Sequence, residues 1–170
     1  RNNIFMLDIS LQKTEDIAEI ETLLDLVFGQ SRYELSSYRF RDCLEPIHEL
    51  SLVLRDEYDV VIGSIRYWPI LLGVKKDPGL LLGPLGVHPT RQGEGLGGLL
   101  IKDSIKRAIL LGWQRVVLIG DLSYYERFGF SKEVVKNLDF KYPVNYDRFL
   151  GCELVKSSLK NLSGSLSRVS

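Results

Sequence analysis

A chain of 170 residues has the size of one ordinary domain, and its 45% hydrophobic content is enough to fill a single core, which excludes global disorder. Lys plus Arg and Asp plus Glu number 22 each, so a net charge of zero gives no electrostatic reason to expect nucleic acid or an anionic membrane as partner. Cys43 and Cys152 stand far apart with no CxxC pattern, which fits neither a disulfide framework nor a metal site and points to reduced thiols in a cytoplasmic protein. No apolar run approaches the ~20 residues of a membrane span, and residues 1–4 lack a signal-peptide pattern.

In chain order, residues 4–11 read as a strand. Thr14 is a plausible N-cap, with Glu15 and Asp16 in the first turn, where carboxylates suit the helix dipole. Ile17, Ile20, Leu24, Val27 and Phe28 follow helical spacing, and Gly29 stops the helix. Residues 31–43 hold a second short helix. Residues 49–55 and 60–69 form a hairpin across Asp56-Glu57-Tyr58-Asp59. Residues 75–79 make a turn, and 80–87 form a buried strand in which Pro84, lacking an N–H, predicts a bulge or break with a free backbone edge nearby. A helix over 95–111 buries Leu96, Leu99, Leu100, Ile105, Ala108 and Ile109 and ends at Gly112. Residues 115–120 form another buried strand, 123–128 a short helix stopped by Gly129, and 130–135 and 149–155 the closing strands. The order describes a mixed α/β domain over residues 1–155, followed by a serine-rich polar tail over 156–170.

The chemistry concentrates where His88-Pro89-Thr90-Arg91-Gln92-Gly93-Glu94-Gly95-Leu96-Gly97-Gly98 joins a strand to a helix. Glycines admit an anion close to the backbone, and the first helical N–H groups lack internal partners. A diphosphate fits such a turn. Gly93, Gly95 and Gly98 also spell GxGxxG, with Asp121 at the end of the next strand, as in a dinucleotide fingerprint. Against that reading, His88 to Gln92 intervene between strand and first glycine, and the motif follows an antiparallel hairpin. The chain after Asp121 also holds no further convincing βαβ unit.

Gln92-Gly93-Glu94-Gly95-Leu96-Gly97 matches Q/R-x-x-G-x-G/A, and Tyr124-Tyr125-Glu126-Arg127-Phe128-Gly129-Phe130 matches a late Y-x-x-x-G-F segment. With the strand Leu85-Gly86-Val87-His88-Pro89 upstream, residues 4–155 resemble the GCN5-related N-acetyltransferases (GNAT), in particular their YhbS-type branch. The resemblance implies a central, mostly antiparallel twisted sheet, with a parallel pair splayed at the acetyl-CoA site and helices on both faces. It implies transfer of an acetyl group from acetyl-CoA to a primary amine in a direct ternary complex, by a monomer or homodimer that needs no metal. Leu85, Gly86 and Val87 would pair with the pantetheine amides and offer an N–H to the oxyanion. Gln92, Gly93, Glu94, Gly95, Leu96, Gly97 and Gly98 would form the pyrophosphate turn, with Arg91 beside it and the Glu94 side chain turned to solvent. Tyr125 occupies the general-acid position, since a phenol stays protonated at neutral pH and can protonate a thiolate.

Asp121 is the first candidate for general base and His88 the second. Each has a structural alternative, Asp121 as a helix cap and His88 as the start of the loop. The Asn that many relatives carry seven residues before the tyrosine is Leu118 here, so that pantetheine contact is absent or falls to Gly120-Asp121. His48 and His88 have no Cys or acidic partner at zinc spacing. Tyr67 and Trp68 are candidates for lining a substrate pocket, with a structural role as core or edge aromatics favoured, and Phe140, Tyr142, Tyr146 and Phe149, before the last strand, are candidates to fold over the acceptor site. Polyamines, antibiotics, amino acids and protein amines all fit as acceptors. A non-catalytic acyl-CoA-binding sensor or interaction module of the same fold is the alternative.

Overall fold

The computed structural model describes residues 7–42 and 44–169. Cys43 and the first three residues of the expected N-terminal strand lie outside them. The elements are β1 (Asp8–Leu11), α1 (Ile17–Phe28), β2 (Leu52–Arg55), β3 (Val61–Leu72), β4 (Asp77–Val87), α2 (Leu96–Leu110), β5 (Arg115–Ile119), α3 (Leu122–Tyr125), β6 (Leu138–Asp139), β7 (Phe149–Glu153) and β8 (Gly164–Arg168). The sheet runs β1-β2-β3-β4-β5-β7. Along this path the pairs are antiparallel except β4–β5, which is parallel; off it, β8 pairs antiparallel with β3 and parallel with β6.

Period-two alternation decides which helix each strand residue meets. Leu52 and Leu54 of β2, Leu80 and Leu82 of β4, Val116 and Leu118 of β5, and Leu150 of β7 pack with Leu96, Leu100, Ile101 and Ala108 of α2. Val53 and Val61 turn to the other face, against Ile20, Leu23 and Leu24 of α1. Leu81, Val117 and Phe149 also face that side, where Phe40, Phe140, Leu159 and Leu166 cover the far half of the sheet. Helices on both faces and a mixed sheet are the expected architecture.

Helix α2 is rotated slightly from its expected face. Ile101 and Ser104 are buried, while Ile109 is half exposed. Ser104 is tolerated in the core because its hydroxyl contacts Ile101 O at 3.0 Å and the buried Tyr67 hydroxyl at 2.7 Å, leaving neither group orphaned. Helix α1 begins later than expected: Thr14–Asp16 forms a 3₁₀ turn, in which the Asp16 carboxylate accepts from Lys13 N–H at 2.8 Å. Residues 30–40 hold two 3₁₀ turns, Gln30–Glu34 and Ser36–Phe40, rather than one α-helix.

Two expectations are corrected at the C-terminal end. Residues 130–135 are not a strand. Ser131 makes a single bridge to Gly151, with reciprocal bonds of 2.9 Å, and the chain then coils into the 3₁₀ turn Glu133–Val135. Gly151 allows this, since a Cβ there would lie 2.5 Å from Val135 Cγ1. Residues 156–169 are not a polar tail. Strand β3 is longer than β2, and its outer residues Ile70, Leu71 and Leu72 would present an open edge; Arg168, Ser167 and Leu166 of β8 pair with them. Leu166 of β8 and Leu159 ahead of it are fully buried. Leu166→Ala should therefore cost about 2–5 kcal/mol in a urea or thermal melt, the range for a buried leucine, whereas a loose tail would register almost nothing.

Candidate functional site

The break expected at Pro84 is present and shapes the site. The β3–β4 register shifts between Ile65 and Tyr67, opposite Leu85 and Leu82. The Gly83–Pro84 peptide is cis. On its other side β4 pairs with β5 only at Leu80 and Leu81. Beyond these residues the two parallel strands part, and the backbone of β4 as far as Val87 has no strand partner on that side. This is the splayed pair with a free edge that an amide-bearing arm could join as an added strand.

Past Val87 the chain turns through a 3₁₀ segment, Pro89–Arg91. His88 starts it: its Nδ1 accepts from Thr90 N–H at 3.2 Å and lies 2.8 Å from Thr90 Oγ1. That bonding fits the loop-starting role, and His88 is not among the residues lining the two cavities described below. Gln92 Nε2 donates to Val87 O at 3.2 Å and latches the turn onto the strand end. Gly93 and Gly95 take φ of +90° and +78°, where a side chain would strain the backbone, and both α-carbons face open space. The first backbone bond of α2 runs from Leu99 N–H to Gly95 O at 3.2 Å, so the N–H groups of Leu96, Gly97 and Gly98 are available to an anion. Glu94 is exposed and grips Arg91 through bonds of 2.8 and 3.0 Å, as expected of a side chain turned to solvent.

A groove of about 550 Å³ runs along this turn. Leu85, Val87, Gln92, Gly93, Gly95, Leu96 and Gly97 line it, whereas Gly86, Glu94 and Gly98 do not. Gly86 faces α1, where a Cβ would come within 3.0 Å of Leu24, and Gly98 faces the Phe128 ring at 3.1 Å. These two glycines make room for packing, so any contact they give a ligand comes from their backbone.

A second cavity of about 440 Å³ lies beside the groove, with Phe28, Leu85, Tyr124 and Tyr125 in the walls of both. Tyr125 ends α3, its N–H bonded to Asp121 O at 3.0 Å. Its ring packs edge-on against Tyr124 at 5.0 Å and Phe130 at 5.7 Å. Gly120 gives the ring its place, since a Cβ there would lie 2.5 Å from Tyr125 Cε2. Burial, and then the neighbouring Tyr124 hydroxyl, push the Tyr125 phenol well above the ordinary tyrosine range, and the Arg148 charge offsets this in part. Tyr125 is therefore a phenol, with a proton to give, at any physiological pH.

Asp121 lines the second cavity and is exposed, with Ser123 Oγ donating to its Oδ2 at 2.9 Å. It caps α3 through its backbone carbonyl and not its side chain, which leaves the carboxylate open to the cavity. Leu118 is buried under α2, so the asparagine contact is absent. Gly120 N–H cannot replace it, being bonded to Arg148 O at 2.9 Å. Tyr67 belongs to the core. Trp68 Nε1 donates to Gly83 O at 2.6 Å and so braces the break in β4.

Part of the second cavity's wall had no reading in the sequence: Arg32, Leu35, Tyr38 and Arg41, in and beside the two 3₁₀ turns, and Arg148 just before β7. The signal was the run Arg32-Tyr33-Glu34-Leu35-Ser36-Ser37-Tyr38-Arg39-Phe40-Arg41, too rich in arginine and tyrosine for a simple surface helix. Among the described residues no group of three or more His, Cys, Asp or Glu is placed to hold a metal ion, and no helix is long and apolar enough to cross a membrane.

A parallel strand pair thus parts over a glycine turn, with the half-buried Tyr125 at the junction of two cavities. The sequence profile of the Acetyltransferase (GNAT) family matches residues 17–130, and the chain belongs to that family. It is 36% identical over 120 residues to the uncharacterized N-acetyltransferase YjhQ of Escherichia coli K12, a match covering 68% of this chain and 63% of that protein. Among solved structures it resembles YhbS of Escherichia coli in complex with CoA, with TM-score 0.81, 23% identity, and 96% and 90% of the two chains covered. It also resembles a GNAT family acetyltransferase of Brucella melitensis in complex with acetyl-CoA, with TM-score 0.71, 27% identity and 96% of each chain covered.

Proposed function

We propose that this protein transfers an acetyl group from acetyl-CoA to a primary amine within a direct ternary complex. The observation that carries the reading is the junction at Tyr125 of the glycine-turn groove and the second cavity. The donor's pyrophosphate sits on the turn from Gln92 to Gly98, and its pantetheine arm lies along Leu85, Gly86 and Val87. Both relatives crystallised with CoA or acetyl-CoA support this donor. The acceptor amine occupies the second cavity.

The neutral amine nitrogen attacks the thioester carbonyl carbon and forms the C–N bond. The oxyanion draws on an N–H of the free β4 edge. Asp121, directly or through water, takes the proton that the nitrogen must lose. The C–S bond then breaks, and Tyr125 Oη gives its proton to the leaving thiolate. Positioning supplies much of the rate, because the thioester is already reactive.

Release of free thiol from acetyl-CoA across a panel of amines, with acetylated product confirmed by mass, tests the reading. CoA binding with no product from any amine would favour the sensor alternative. The pH profile carries a further expectation. The acceptor ammonium loses its proton as pH rises, so kcat/KM climbs. The raised Tyr125 keeps its proton through this range, so no fall from its ionisation should appear up to about pH 10, the ordinary tyrosine value.

A further inference from the structure

Among the described residues four arginines are buried: Arg32, Arg41, Arg66 and Arg115. Three have their charge or their donors answered. Arg32 bonds Glu21 at 2.6 Å and Asp25 at 3.0 Å. Arg66 bonds Glu21 at 2.9 Å. Arg115 donates to Ser158 O, Pro78 O and Gln114 Oε1 at 2.6–2.8 Å. Arg41 is the exception. It is 8% exposed, its Nε and Nη1 are buried without a hydrogen-bond partner, and no carboxylate of a described residue pairs with it. An uncompensated buried charge is costly, and unfilled donors on it more so. Burial lowers the Arg41 pKa to about 10, which still leaves it a cation at neutral pH.

Its surroundings hold the cation in the wall of the second cavity. The guanidinium stacks over the Tyr38 ring at 4.2 Å and lies 5.7 Å from the Trp68 ring. Gly83 makes way for it, since a Cβ there would come within 2.6 Å of Arg41 Nη2. The same cavity is lined by Arg32, by the exposed Arg148 and by one carboxylate, Asp121. With Arg32 answered by Glu21 and Asp25, Arg41 and Arg148 still outnumber the one carboxylate, a balance that disfavours polyamines and other polycations. Phe28, Leu35, Leu82 and Ile119 add apolar wall.

We infer that the acceptor is a small amine bearing a carboxylate, an amino-acid-like molecule whose carboxylate is bound by Arg41 while its amine reaches Asp121 and Tyr125. A planar carboxylate matches the guanidinium fork and supplies the single negative charge it lacks, where a phosphate would bring up to two. This rests on the transferase reading of the same cavity.

The test is calorimetry on the CoA-saturated protein with L-α-amino acids and ω-amino carboxylates, each against its own amide, alongside thiol release from acetyl-CoA. At least one acid should bind roughly 30-fold or more tighter than its amide, as expected when a buried charge pair loses one partner. The preference should collapse in Arg41→Met and return in part in Arg41→Lys, with CoA affinity reporting that each variant is folded. No acid outperforming its amide in the wild type, or a folded Arg41→Met that keeps the preference, would overturn the inference. Acid-selective binding without thiol release would remove the transferase and leave the carboxylate site. Thiol release with no acid preference would do the reverse.

Discussion

Tyr125→Phe should lower kcat by about 10²-fold or more and leave KM for acetyl-CoA within a few-fold, because general-acid assistance contributes about 10²–10⁴ and acts only as the C–S bond breaks. The ring itself is structural, packed between Tyr124 and Phe130 and seated on Gly120. Phenylalanine keeps that packing and removes only the hydroxyl, so the loss reports proton donation. A phenol held above the ordinary range is also a weaker acid, which suits a donor that must not ionise before the thiolate appears. Presteady-state rates with a poor and a good thiol leaving group would separate the step: the variant should suffer more with the poor one. Equal sensitivity in both proteins would assign the proton to another source.

The second large effect is expected at Gly97, in the first turn of α2. Gly97→Ala should weaken CoA binding roughly 10- to 100-fold, the scale of 1–3 kcal/mol for overpacking. A Cβ there would stand 2.5 Å from Tyr124 Oη, while the next Tyr124 atom, Cζ, is at 3.7 Å. The clash is thus with one oxygen atom of a ring that packs on Tyr125 and Phe128 and borders both cavities. Pushing that ring aside deforms the groove. Tyr124→Phe removes the oxygen, so the double variant should regain most of the lost affinity. Failure of that rescue would mean that Gly97 is needed for closeness to the phosphates and not for room beside Tyr124.

How much of this was legible depended on whether a feature is local. The glycine turn, the tyrosine segment and the break at Pro84 are short and carry their own constraints of positive φ, a missing N–H and a helix stop, so their places followed from sequence. Leu85, Val87, Gln92, Gly93, Gly95, Leu96 and Gly97 do line one groove, and Tyr125 and Asp121 share one cavity. Gly86 and Gly98 looked like ligand glycines because glycine for packing and glycine for an anion are spelled alike. The strand β8 was illegible for a different reason. Only Leu166 in Gly164–Arg168 is apolar, and what holds the segment is the open edge of β3, a partner more than ninety residues away in sequence. The arginine-lined wall was hidden likewise: Arg41 and Arg148 meet only through the fold.

A crystal structure with CoA bound would show directly whether the glycine turn and Tyr125 serve one donor. The pyrophosphate should sit on the amides between Gly93 and Gly98, the pantetheine should hydrogen-bond along the β4 edge from Leu85 to Val87, and the sulfur should lie within about 3–3.5 Å of Tyr125 Oη at the mouth of the second cavity. A CoA whose sulfur lies away from Tyr125, or whose diphosphate leaves the glycine turn empty, would contradict that arrangement.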